Sequence, residues 1–149
     1  SKSKSYGLEL LVEIQEDLAK EAFGDVLVAG YGLGIIQKLL IENPKVNSVT
    51  TVEKTMEVIK ACTHTFGVLY GQVICMDFYD FIPSIAKVSH IESYDCVIGY
   101  IWPEISSKYV LEYIRFKNHA QILLSNHGKI LAWGSEFYEY ILDKQKALI

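Results

Sequence analysis

Three glycines at alternate positions, Gly30-Tyr31-Gly32-Leu33-Gly34, follow directly on the apolar run Val26-Leu27-Val28-Ala29. They lead straight into Ile35 to Glu42, where Ile35, Ile36, Leu39 and Leu40 recur at helical spacing. A short run with no polar residue is what a parallel strand covered on both faces requires. The helix is expected to stop at Asn43-Pro44, because a residue before proline disfavours the α region. A glycine turn between strand and helix lets backbone N–H groups approach a ligand where any Cβ would obstruct. This unit commits the chain to an α/β arrangement more firmly than any other segment.

The alternation continues along the sequence. Tyr6 to Ala22 has Leu8, Leu11, Ile14, Leu18 and Ala22 on one helical face and acids and lysine on the other, so residues 1–22 form a leading helix packed on the domain. Ser48 to Glu53 predicts a second strand, Met56 to Phe66 a helix ending at Gly67, and Gln72 to Met76 a third strand ending in Asp77. Phe81 to Glu92 predicts a short helix and loop, Tyr94 to Gly99 a fourth strand, and Ser107 to Ser125 a helix with a break near Asn118. Asn126-His127-Gly128 predicts a turn into a fifth strand, Lys129 to Trp133, and Phe137 to Leu148 a closing helix. Such alternation predicts a doubly wound, mainly parallel five-stranded Rossmann-like sheet with helices on both faces and a ligand crevice at the C-terminal strand ends. Residues 1–149 are expected to form one domain.

Composition narrows the function. Half of the 149 residues are hydrophobic, and 14 Lys+Arg against 18 Asp+Glu give a net charge of −4, with Arg115 the sole arginine. Duplex reading leans on arginine and a basic stripe, so no nucleic-acid partner is expected. Cys62, Cys75 and Cys96 form neither a C-x-x-C nor a set with paired histidines, so no disulfide framework and no metal site are expected. No apolar run approaches the ~18 residues of a membrane span. The start, Ser1 to Ser5, lacks a signal peptide's apolar continuation. A cytoplasmic protein that does not bind membranes is the expectation.

The glycine spacing is G-x-G-x-G, and Ile35 stands where a dinucleotide fingerprint would have its last glycine, which turns the reading away from NAD. Val26 to Gly34 resembles motif I of the class I S-adenosylmethionine (SAM) dependent methyltransferases and the related polyamine synthases. Downstream landmarks strengthen the resemblance: Glu53, 19 residues past Gly34, and Asp77-Phe78 at the end of the third strand. Within the family, Gly30 to Ile36, Tyr94-Asp95, Trp102-Pro103 and Phe116 to Ala120 look most like the guanidinoacetate and arginine N-methyltransferase branch, with the spermidine synthases beside it. The resemblance covers about residues 26 to 133.

It implies SAM as cofactor, held by Gly30, Tyr31, Gly32 and Gly34, with Glu53 on the ribose hydroxyls and Asp77 and Phe78 at the adenine. It implies in-line transfer from the sulfonium to a small-molecule substrate. Tyr100 and Glu104 are the candidate catalytic residues, and Tyr6, Glu9, Tyr100, Trp102 and Glu104 the candidate substrate-binding ones. Tyr100 stands where that branch has an aspartate for the amine or guanidino group. The sequence also lacks the family's final antiparallel hairpin, which leaves a sheet edge for a homodimer partner or the last helix to cover. A non-catalytic SAM- or nucleoside-binding module, or a subunit of a larger enzyme, remains the alternative.

Overall fold

The computed structural model describes residues 2–82, 93–99, 101–102 and 104–147, with side chains from residue 12 to 146 of these. Helix α1 (Lys2–Glu21) precedes β1 (Gly24–Ala29), α2 (Ile35–Glu42), β2 (Val46–Glu53), α3 (Met56–Phe66) and β3 (Gln72–Cys75). Then come a 3-10 turn (Phe78–Asp80), β4 (Tyr94–Gly99), a second 3-10 turn (Ser107–Tyr109), α4 (Val110–Leu123), β5 (Leu124–Ala132) and α5 (Ser135–Ala147). The strands form one sheet in the order β3-β2-β1-β4-β5, and every pairing is parallel.

Both faces of the sheet are covered, as the apolar β1 run demands. Val26 and Val28 point to one face with Cys96, Ile98 and Leu131, beneath Ala19 and Ala22 of the leading segment and Ile36 and Leu40 of α2. Leu27 and Ala29 point to the other, packed with Val97, Val52, Phe116, Ala120 and Leu123 of α4 and Tyr138 of α5. Because β1 pairs with both β2 and β4, the chain reverses direction across the sheet there, which opens the ligand crevice beyond Ala29 and Gly99.

Asp95 organises the opposite end of the sheet. Its carboxylate accepts the Asp25 backbone N–H at 2.9 Å and the Ser125 hydroxyl at 3.2 Å. Any Cβ on Gly24 would fall 2.1 Å from that carboxylate, which explains a glycine with φ +68° at the start of β1.

The sequence reading departs from the structure in two places. Helix α4 is continuous through Asn118, and β5 begins at Leu124 instead of Lys129. Asn126-His127-Gly128 is a bulge inside the strand, where the register slips between Tyr94 and Cys96. Asp95 holds Ser125 within the sheet, and Gly128 lies so close to Leu124 and the Asp95 carbonyl that a side chain would clash at 2.6 Å. The helix and loop expected over 81–92 fall mostly outside the described residues, Phe81 and Ile82 excepted.

Candidate cofactor-binding crevice

The glycine turn is held in place from below. Gly30, Gly32 and Gly34 have φ of 90°, 58° and 78°, the left-handed region that side chains disfavour. The Gly30 N–H donates to the Val52 carbonyl at 2.9 Å, which ties the end of β1 to β2. Gln37, fully buried in the first turn of α2, donates from Nε2 to the Gly30 carbonyl at 3.3 Å and to Thr51 Oγ1 at 3.1 Å. Cys62 of α3 donates its thiol to the Gly32 carbonyl at 3.3 Å. Gly34 caps α2 without any side-chain hydrogen bond, so the first N–H groups of the helix have no side-chain acceptor from their cap.

The turn glycines have different reasons to be glycine. A Cβ on Gly34 would lie 2.8 Å from the Tyr31 ring, whereas one on Gly32 would meet nothing within 4 Å. Gly34 therefore serves packing, and Gly32 keeps backbone open to the crevice. Tyr31 itself faces inward, 3% exposed, and its hydroxyl accepts the Tyr70 N–H at 3.0 Å. Its carbonyl accepts the Gly34 N–H at 3.0 Å, so Tyr31 braces the turn from within.

Glu53 ends β2 with its side chain 8% exposed. Oε1 accepts the Tyr31 N–H and Oε2 the Thr55 N–H, each at 2.9 Å. A carboxylate has about four acceptor positions, so each oxygen retains one for a ligand. Asp77 Oδ1 accepts the Tyr79 N–H at 2.9 Å, which shapes the turn that sets Phe78 against Phe116, with ring centroids 5.4 Å apart and planes inclined by 29°. His119 steadies the same turn, its Nε2 lying 2.7 Å from the Phe81 carbonyl.

These residues line one cavity of about 510 Å³: Gly30, Gly32, Val52 and Glu53 on one side, Asp77, Phe78 and Tyr79 on another, with Lys54, Ile101, Glu112 and Arg115 completing it. That volume lies within the ~300–1,000 Å³ typical of small-molecule sites. Glu112 and Arg115 come from α4, and the Arg115 guanidinium lies 3.7 Å over the Tyr79 ring. Burial pushes the Tyr79 hydroxyl pKa up, and the nearby Arg115 charge opposes this while Glu112 and Asp77 add to it. Glu112 and Arg115 went unremarked as site residues in the sequence, because α4 begins far from the glycine turn. The one available signal was that Arg115 is the sole arginine.

The residues expected after β4 are placed otherwise. Trp102 is 2% exposed, packed edge-on against Tyr113, Phe116 and Tyr138, and donates from Nε1 to the Trp133 carbonyl at 3.0 Å. It is a core residue with no face for a substrate, which corrects the expectation drawn from its position. Glu104 is exposed and ion-paired with Lys108 at 3.0 Å, and it does not line the cavity. Tyr100 lies outside the described residues. Tyr6 and Glu9 lie in the first part of α1, before residue 12, where side chains are not described.

No protein-family model and no curated protein matches the chain. Solved structures do match. A SAM-dependent methyltransferase from Clostridium acetobutylicum has 14% identity and a TM-score of 0.55 over 81% of this chain and 49% of its own. A SAM-dependent methyltransferase from Leishmania major has 16% identity and a TM-score of 0.57 over 85% and 51%. Human methyltransferase-like protein 13, in complex with SAH, has 20% identity and a TM-score of 0.55 over 92% and 68%. The chain spans about half the length of the first two and about two thirds of the third. At such identities the likeness is one of architecture: the chain has the class I SAM-dependent methyltransferase fold.

Proposed function

We propose that the chain binds SAM in the crevice at the end of β1 and acts as a methyltransferase on a small molecule. The observation that carries this reading is the cavity itself, which brings the open glycine turn, a carboxylate with unused acceptor positions and the Asp77-Phe78 turn around one space. The fit is chemical as well as spatial. A cis-diol needs a bidentate acceptor, and Glu53 is held rigidly by two backbone donors for that task. A base needs an apolar wall and a polar edge, and Phe78 with Asp77 supplies both.

SAM, when bound, supplies a methyl group already electrophilic on its sulfonium. Glu53 and the glycine turn fix the donor's position, Asp77 and Phe78 its base, and Val52, Ile101 and Phe78 exclude water from the transfer path. Transfer to an acceptor would leave the carbon–sulfur electron pair on sulfur and give the acceptor's proton to solvent.

Titration calorimetry with SAM, SAH, methylthioadenosine and NAD tests the reading. SAM and SAH are expected to bind and NAD not; preference for NAD, or no binding by SAM and SAH, overturns it. Binding without transfer is the second reading, favoured by Glu104 and Trp102 standing outside the cavity, and labelled-methyl transfer separates the two. Among the described residues no helix is long and apolar enough to cross a membrane. The outer edge of β5 pairs with no described strand, which supports pairing with a second copy; light scattering at micromolar concentration checks it.

A further inference from the structure

Arg115 is the chain's sole arginine, and it lines the crevice from α4. The same face of α4 is fastened to the turn that follows β3. Phe116 stacks on Phe78 with ring centroids 5.4 Å apart, and His119 meets Phe78 and Tyr79 edge-on at 4.9 and 5.5 Å. His119 Nε2 lies 2.7 Å from the Phe81 carbonyl, and the Arg115 guanidinium completes the row, 3.7 Å over the Tyr79 ring. Asp77 opens that turn. One of its oxygens accepts the Tyr79 N–H, and the other takes no hydrogen bond among the described residues. Burial raises the Tyr79 hydroxyl pKa, and among the charges felt there Arg115 lowers it while Glu112 and Asp77 raise it, so guanidinium and Asp77 carboxylate both lie near one ring. Among the described residues the ion pairs are Lys108–Glu104 and Lys117–Glu139, so Arg115 pairs with none of the carboxylates of the cavity, Glu53, Asp77 and Glu112. Stacking holds the guanidinium plane and leaves its N–H edge open. An open acceptor on the turn and open donors on the helix above it thus share the end of the cavity given to the donor's base.

We infer that Arg115 determines which base the crevice accepts: with Asp77 it selects adenine, the carboxylate accepting from the amino group and the guanidinium donating to a ring nitrogen beside it. The inference rests on the SAM-binding reading and adds to it how the base is chosen. Adenine's amino group is a donor flanked by two ring acceptors, N1 and N7, so an acceptor next to a donor is the complement of either edge. Hypoxanthine has an oxygen in place of the amino group and a proton on N1. Its oxygen would face the Asp77 carboxylate, and on the N1 side its N–H would face the guanidinium.

The test is titration calorimetry of SAH, its 1-deaza and 7-deaza analogues and S-inosylhomocysteine on wild type, Arg115→Met and Arg115→Lys. Methionine keeps an apolar stem over Tyr79 and removes the donors. Wild type is expected to bind SAH about tenfold more tightly than one of the two deaza analogues, which identifies the ring nitrogen, and about thirtyfold more tightly than S-inosylhomocysteine. Arg115→Met is expected to bind SAH about tenfold more weakly and to bind that deaza analogue within about twofold of SAH, with Arg115→Lys keeping part of the preference. Wild type that binds SAH and both deaza analogues alike overturns the inference, as does equal binding of S-inosylhomocysteine. So does an Arg115→Met protein that weakens every ligand by one factor and keeps the wild-type preferences, since a residue that only supports the turn would act in that way. Failure of wild type to bind SAH refutes the SAM reading first, whereas SAH binding without these preferences refutes this inference alone.

Discussion

Glu53 Oε1 accepts the backbone N–H of Tyr31 at 2.9 Å, so the acid at the end of β2 builds the glycine turn beside it. Its second oxygen does the same for Thr55. Removing the carboxylate then has two effects. Glu53→Ala should lower stability by about 2–4 kcal/mol, because two partly or fully buried N–H groups lose a charged acceptor. It should also weaken SAH by about 2 kcal/mol or more, through loss of the ribose contacts. Urea unfolding and calorimetry read the two separately; a folded variant with wild-type affinity rules out the ribose role.

Gly34 and Gly32 should answer differently to the same substitution. Gly34→Ala puts a methyl group 2.8 Å from the Tyr31 ring at φ +78°, and a loss of about 2–3 kcal/mol in stability is expected. Gly32→Ala meets open space, so about 1 kcal/mol of backbone strain is expected, with the larger effect on SAH affinity. Equal stability losses would show that Gly32 also serves packing.

Trp102 supplies a third test. Trp102→Ala should cost about 3–5 kcal/mol, as for other large aromatic residues in a core. Trp102→Phe keeps most of the packing but leaves the Trp133 carbonyl without its donor, for about 1–2 kcal/mol. Thermal unfolding measures both. A stable Trp102→Phe protein with greatly raised acceptor KM would instead place the indole at the substrate.

Acid should loosen the contact between α4 and α5. Lys117 and then Tyr113, both hydrogen-bonded to Glu139, hold its carboxyl below the usual carboxylate value despite partial burial. A group with a depressed folded pKa stabilises above its unfolded pKa and loses that contribution as pH falls through the folded value. The stability gap between wild type and Glu139→Gln should therefore be largest near neutrality and close below about pH 4, in urea titrations at several pH values. The pair is exposed enough for the gap to be modest and to shrink in salt. A gap that does not change with pH would remove Glu139 titration as its source.

The parts of the fold visible in the sequence are those where neighbours along the chain are neighbours in space. Val26 to Gly34 forms strand and turn from consecutive residues, and Glu53 lies at a spacing that one helix and one strand impose. Orientation at a strand end is different in kind. Nothing local shows that Trp102 turns toward Tyr113 and Tyr138. The bulge at Asn126-His127-Gly128 has the composition of a turn, and only the distant Asp95 makes it part of a strand. Glu112 and Arg115 reach the crevice because α4 crosses the sheet, a relationship set by packing of Phe116, Ala120 and Leu123 and not by any motif.

The packing of Phe116 on Gly99 bears on how the crevice can open and close. A Cβ on Gly99 would fall 2.5 Å from the Phe116 ring, so α4 already rests on bare β4 backbone. The helix has no slack left in the direction of the sheet. The gap between Glu53 on the floor and Arg115 on the wall is thus gauged by the length of one aromatic side chain standing end-on to the sheet, and a ligand must match that gap since the wall cannot be drawn inward to meet it.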